Sequence, residues 1–180
     1  MLNYAVYCEL QKKLNKLCEL TPLLFKSPGS FFQGAIDYSA ELEEFAVRCN
    51  LASLPADIAS VRCKLITYMP KPFEEGSPRR NERKLKDKYA AEAISDIIGS
   101  INGFCDKGRQ VFEECEQLWR QILSSAVLKG ILKPALSAGN VIDIIKNDAD
   151  LAAYYSHITG LCGTLNALAI LNVVLPQLNL

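Results

Sequence analysis

The chain has 180 residues and a mass of 19.9 kDa, enough for one domain, whereas two would both be small. Hydrophobic residues make up 49% and charged residues 22%, both near the globular average, which argues against disorder or coiled coil throughout. Lys+Arg and Asp+Glu each number 20, so the molecule as a whole has no long-range attraction for nucleic acid or acidic lipid.

Leu2, Val6, Leu10, Leu14 and Leu17 recur at steps of four and three, which predicts a first helix from about Asn3 to Leu20. Lys12, Lys13 and Lys16 lie off that stripe, and Thr21-Pro22 ends it. Lys26 to Ser30 reads as a turn by composition, and Phe31 and Phe32 as plugs between helices. A second helix is expected over Gln33 to Cys49, with Tyr38, Leu42, Phe45 and Cys49 inside. A third runs from Pro55, suited to the first helical position, to Tyr68, with Ile58, Val61, Leu65 and Tyr68 as its stripe.

The one clear break in composition starts at Pro70 and holds three prolines and one glycine without an apolar period. Residues 70–83 are therefore expected to form a mobile loop or linker between the helices of 1–69 and 84–180, within a single domain spanning 1–180. From Leu85 to Leu132 there is no proline, and a seven-residue repeat persists. Ile94, Ile101, Gly108, Cys115 and Ile122 share one phase, and Ile97, Phe104, Val111 and Leu118 the other. Gly99, Gly103 and Gly108 weaken this helix by about 1 kcal/mol each relative to Ala, yet the repeat keeps phase across Gly108, so continuity or a mere kink is expected. Lys133-Pro134 marks its end. A short helix follows at about Asn140 to Lys146, and Asn147 or Asp148 caps a last helix reaching about Leu175, stopped by Pro176. No strand pattern is found, so the expected fold is all-α: an irregular bundle of five to seven helices with the long heptad helix as spine.

The last formally charged side chain is Asp150, leaving Leu151 to Leu180 without charge if His157 is neutral. Leu151, Ile158, Leu165 and Asn172 share a face, with Leu161, Leu168 and Leu175 beside it. A helix apolar all round needs cover all round. Three readings compete: the central helix of the bundle, an interface with another subunit or partner, and a membrane tail anchor. Asn166, Asn172 and the polar groups of 154–159 weaken the anchor, and the strongly apolar run from Leu161 to Leu175 is short of the ~20 residues a bilayer requires. Gly160, Gly163 and Ala167 form a small-residue strip at steps of three and four, a pattern that permits close helix approach. If the segment is an interface, the contact residues are Leu161, Leu165, Leu168, Ala169 and Asn172.

A second candidate surface is basic. Arg79, Arg80, Arg83, Lys84, Lys86 and Lys88 fall within ten residues, diluted by Glu82 and Asp87. Cations at a helix N-terminus oppose the macrodipole, which points to a phosphate, nucleic-acid or acidic-protein ligand, or to pairing with Asp37, Glu41, Glu43 and Glu44. The bland alternative is a solvated arm. Aromatic interleaving is limited to Phe73 and Tyr89, a weak signature for base stacking.

The seven cysteines (Cys8, Cys18, Cys49, Cys63, Cys105, Cys115, Cys162) show no C-x-x-C pair and mostly occupy apolar helical positions, which reads as core filling in a reducing, cytoplasmic setting. The N-terminal segment lacks the basic lead and long apolar core of a secretory signal. His157, the only histidine, is expected to pack or hydrogen-bond near a bundle end, and Cys162 points about 140° away from it on one helix. The carboxylate pairs Glu41/Glu44, Glu113/Glu116 and Glu92/Asp96 lack the Glu-x-x-His of a di-iron bundle, and no phosphate loop occurs. No catalytic residue, metal site or cofactor is assigned. The expected function is a non-catalytic helical interaction module, acting as adaptor, chaperone-like subunit or scaffold, with a protein partner or second copy. Nucleic-acid or phosphate-ligand binding through the basic segment and a metal-dependent bundle enzyme are the alternatives.

Overall fold

The computed structural model describes residues 2–69, 80–132 and 136–178, without the side chains of Arg80 and Asn81. The described residues are all-α: α1 (Tyr4–Leu20), α2 (Leu23–Lys26), α3 (Pro28–Arg48), α4 (Leu54–Tyr68), α5 (Arg80–Leu128), α6 (Ala138–Lys146), α7 (Ala149–Cys162) and α8 (Thr164–Val174), followed by a 3-10 turn at Leu175–Leu178. Apart from the single turn α2, that makes seven helices, with the expected long helix among them. Most of the segment expected as a loop, residues 70–79, lies outside the described residues, and α5 takes in 80–83.

The chain divides into two compact units, Cys8–Cys105 and Met1–Tyr7 with Asp106–Leu180. In the first, α3 packs against α4 and α2 against α3. Leu10, Leu14 and Leu17 of α1, Leu42 of α3 and Ile58 and Leu65 of α4 are buried, as their spacing predicts. Phe31 and Phe32 are fully buried with rings 5.3 Å apart and nearly perpendicular, the edge-to-face geometry their quadrupoles favour. They lie inside α3 rather than before it, because Pro28 sits at the first helical position and starts the helix five residues earlier than Gln33. The α3 terminus is closed by Asn50 at φ 53°: the Asn50 N–H donates to the Val47 carbonyl and the Leu51 N–H to that of Ala46, each at 3.0 Å. This is the reciprocal pair of a left-handed helix cap.

The same device ends α5. Gly130 has φ 68°, its N–H donates to Val127 and that of Ile131 to Ala126, both at 2.9 Å. The helix therefore stops at Leu128, before the expected end at Lys133-Pro134. Within α5, Ile94, Ile101, Cys115 and Ile122 of the first heptad row are buried. The second row holds at Ile97 but not beyond it: Phe104, Val111 and Leu118 are only half-buried, while Cys105, Phe112, Trp119 and Ala126, one residue later, are buried. From Phe112 on, the inward residues Phe112, Cys115, Trp119, Ile122 and Ala126 step by three and four, the ordinary stripe of one helix face.

In the second unit, α6 packs on α7 and α7 on α8. Ser137 caps α6, and Asp148 caps α7 by accepting from the N–H groups of Asp150 (3.2 Å) and Leu151 (3.1 Å). Lys129 pairs with the same carboxylate at 2.9 Å and, with those N–H groups, holds Asp148 below the usual carboxylate range. Tyr4 and Tyr7 pack their rings 5.2 Å from Phe112, and the Trp119 indole N–H donates to the Ala167 carbonyl at 2.9 Å. Tyr4 also meets Glu116 through its hydroxyl, and its backbone N–H donates to the Asn166 side-chain oxygen at 3.0 Å. Asn166 thus satisfies an otherwise orphan donor at the start of α1.

Candidate functional site

The expected single last helix is two helices. Gly163 stands at φ 79°, ψ 157°, a conformation open to glycine, and the axes of Ala149–Cys162 and Thr164–Leu178 differ by 114°. The break resets the helical phase. Leu151 and Ile158 of the expected shared face are buried on α7, whereas Leu165 and Asn172 are exposed on α8.

Inside α8 the inward residues are Ala167, Ile170, Leu171 and Val174, spaced three, one and three apart. The opposite side carries Leu165 (83% exposed), Asn172 and Val173 (41%), flanked by half-buried Leu168 and Ala169. Four of the five residues singled out from sequence therefore lie on one face of one helix. The fifth, Leu161, is half-buried on α7. The reading as a central helix sheathed by the bundle is corrected: within the protomer one side of α8 is packed and the other faces water. The small-residue strip is also broken, since Ala167 is buried, Gly163 is the bend, and a Cβ on Gly160 would meet open space.

The basic segment starts α5. Arg79 and the Arg80 side chain lie outside the described residues. Arg83, Lys84, Lys86 and Lys88 are exposed, and Lys88 pairs with Glu92 at 3.7 Å. At 100° per residue these four spread over more than half of the helix circumference, so they form no single stripe. Two of the four acidic residues expected as internal partners are engaged elsewhere: Glu43 pairs with Arg62, and Glu41 lies 3.9 Å from Lys16.

The remaining groups build no reactive cluster among the described residues. Among the described residues no three His, Cys, Asp or Glu side chains gather as a metal site requires. Glu41, Glu44, Glu92 and Asp96 are exposed, and Asp96 lies 3.7 Å from Lys64. Of the two expected states of His157, packed or hydrogen-bonded, packing is not found: the side chain is largely exposed, 4.0 Å from Glu114. Only Cys105, Cys115 and Cys162 of the seven cysteines are buried; Cys18 and Cys63 are exposed. Burial, reinforced by a hydrogen bond with Cys162, pushes the Cys115 thiol up to about 12, so it is protonated and a poor nucleophile at neutral pH. Two open depressions lie among the described residues. One of about 300 Å³ is lined by Leu123, Ser124, Val127, Leu128 and Leu178, the other of about 280 Å³ by Ser53, Leu54, Asp57, Ser100, Gly103 and Phe104. Among the described residues no single helix is long and apolar enough to cross a membrane; α7 and the segment after it reach the length only as a bent pair.

Two features of this region escaped sequence reasoning: the bend at Gly163 and the role of Asn166. Glycine between Cys162 and Thr164 was the available signal for the first; nothing local announces the second, which depends on Tyr4 arriving from the other end of the chain. No protein-family model, curated protein or solved structure matches the chain.

Proposed function

We propose that the chain is a non-catalytic helical interaction module that binds a protein partner through the outward face of α8. One observation carries the reading: Leu165, 83% exposed, stands at the centre of a charge-free face completed by Leu168, Ala169, Asn172 and Val173. Fully covering a leucine contributes about 1.5–3 kcal/mol, so a partner seated here gains from the first contact. Seven free cysteines support the accompanying proposal of a reducing, cytoplasmic setting.

The test is photo-crosslinking in cells with a photoreactive phenylalanine analogue placed at Leu165 or Val173, and at exposed Gln117 of α5 as control. Protein adducts are expected from the two α8 positions and not from the control. Adducts from neither α8 position would overturn the reading. Binding of a phosphate-rich ligand through Arg83, Lys84, Lys86 and Lys88 is the second reading, favoured by the exposure of all four cations.

A further inference from the structure

Resting on the α8 reading, we infer that the partner is a second copy of this chain, docked helix to helix in parallel about a two-fold axis. The argument starts from spacing. Leu165, Leu168 and Asn172 of α8 and Leu175, its C-cap at φ −56° and ψ −46°, follow one another at steps of three, four and three, the a, d, a, d positions of a short heptad seam. None of the four is buried in the protomer: Leu165 and Asn172 are exposed, Leu168 and Leu175 half-buried.

Charge and hydrogen bonding then favour a copy over a foreign protein. The segment from Leu151 to Leu180 has no Lys, Arg, Asp or Glu, so the face meets its own image without repulsion and offers a charged partner nothing to pair with. Asn172 is the polar exception, and its amide has no partner among the described residues. An apolar partner would leave it unsatisfied. An amide is both donor and acceptor, so the same amide across a two-fold axis satisfies it, as a lone a-position asparagine does in parallel two-stranded pairs. That pairing sets direction and register: Asn172 opposite Asn172, Leu165 opposite Leu165.

The area sets the strength. α8 has 11 residues, and at ~1.5 Å each a seam of that length covers on the order of 400 Å² per copy, about half of a standard interface. A seam this small makes a weak, transient dimer, and a dissociation constant on the order of 100 μM is the value set for the test.

Sedimentation equilibrium of the full chain up to about 1 mM is expected to show a monomer–dimer equilibrium in that range, weakened at least about tenfold by Leu165→Asp. Circular dichroism and thermal melting check that this exposed position leaves the fold intact. Asn172→Cys, in a background with Cys18→Ser and Cys63→Ser, is expected to give a disulfide-linked dimer under mild oxidation by glutathione disulfide, each new bond releasing two glutathione thiols. A chain that stays monomeric to 1 mM overturns the second copy while leaving the crosslinking reading of the α8 face standing. A dimer indifferent to Leu165→Asp, or one whose Asn172→Cys form does not crosslink, overturns the seam and its parallel register.

Discussion

Replacing Asn166 by alanine removes the acceptor for the Tyr4 N–H, which is held at 3.0 Å in a partly buried setting. Leaving such a donor without a partner costs about 1–3 kcal/mol. The expected result is a melting temperature lower by several degrees, with faster amide exchange at the start of α1, measured by calorimetry and by hydrogen exchange. Unchanged exchange at Tyr4 would show that the bond contributes nothing. The contrast with Asn172 is instructive. Two asparagines six residues apart in one uncharged segment have different fates: Asn166 is spent on an internal donor, and Asn172 keeps its amide for the surface. Sequence treats both alike, as polar interruptions of an apolar run. Only the third dimension separates them.

The elements themselves were largely legible, and the failures at element boundaries share a cause. Leu10, Leu14 and Leu17, or Ile58, Val61 and Leu65, are buried where spacing put them, because within one helix the period is fixed by backbone geometry. Error enters where a single residue changes the backbone's direction. Gly130 ends α5 early and Gly163 splits the last helix, each through a positive φ that composition does not reveal. Pro28 acts in the opposite sense, starting α3 where a turn was expected. The candidate site was legible to the same extent: Leu165, Leu168, Ala169 and Asn172 share a face because they share α8, whereas their kinship with Leu151 and Ile158 ended at the bend. Two glycine substitutions separate these roles. Gly163→Ala forces a side chain into φ 79° and should cost about 1–3 kcal/mol. Gly99→Ala, in the interior of α5 with open space around its Cβ, should stabilise by about 0.5–1 kcal/mol. Urea denaturation of both variants checks the opposite signs, and a stabilised Gly163→Ala would mean that the bend is not required by the fold.

At the scale of the whole molecule, charge decides between the two surfaces. Twenty cations balance twenty anions, and the isoelectric point near 6.6 leaves almost no net charge at neutral pH, so neither surface draws ligands by a global field. What remains is local. The α8 face has no charge to screen, so association through it should change by less than about twofold between 50 and 200 mM salt, with any change toward tighter binding as salt strengthens apolar contact. Polyanion binding through Arg83, Lys84, Lys86 and Lys88 would behave in the opposite way. Four phosphate contacts on a duplex give a slope of roughly −3.6 in log affinity against log salt, a loss of about two decades over the same interval. Fluorescence titration of a random duplex and sedimentation of the chain alone, each at both salt concentrations, therefore read the two surfaces independently. Salt-insensitive self-association with no measurable duplex affinity at 50 mM is the expected outcome. A steep salt slope on a tight duplex complex would transfer the functional assignment from α8 to the start of α5, since no charge on α8 produces one.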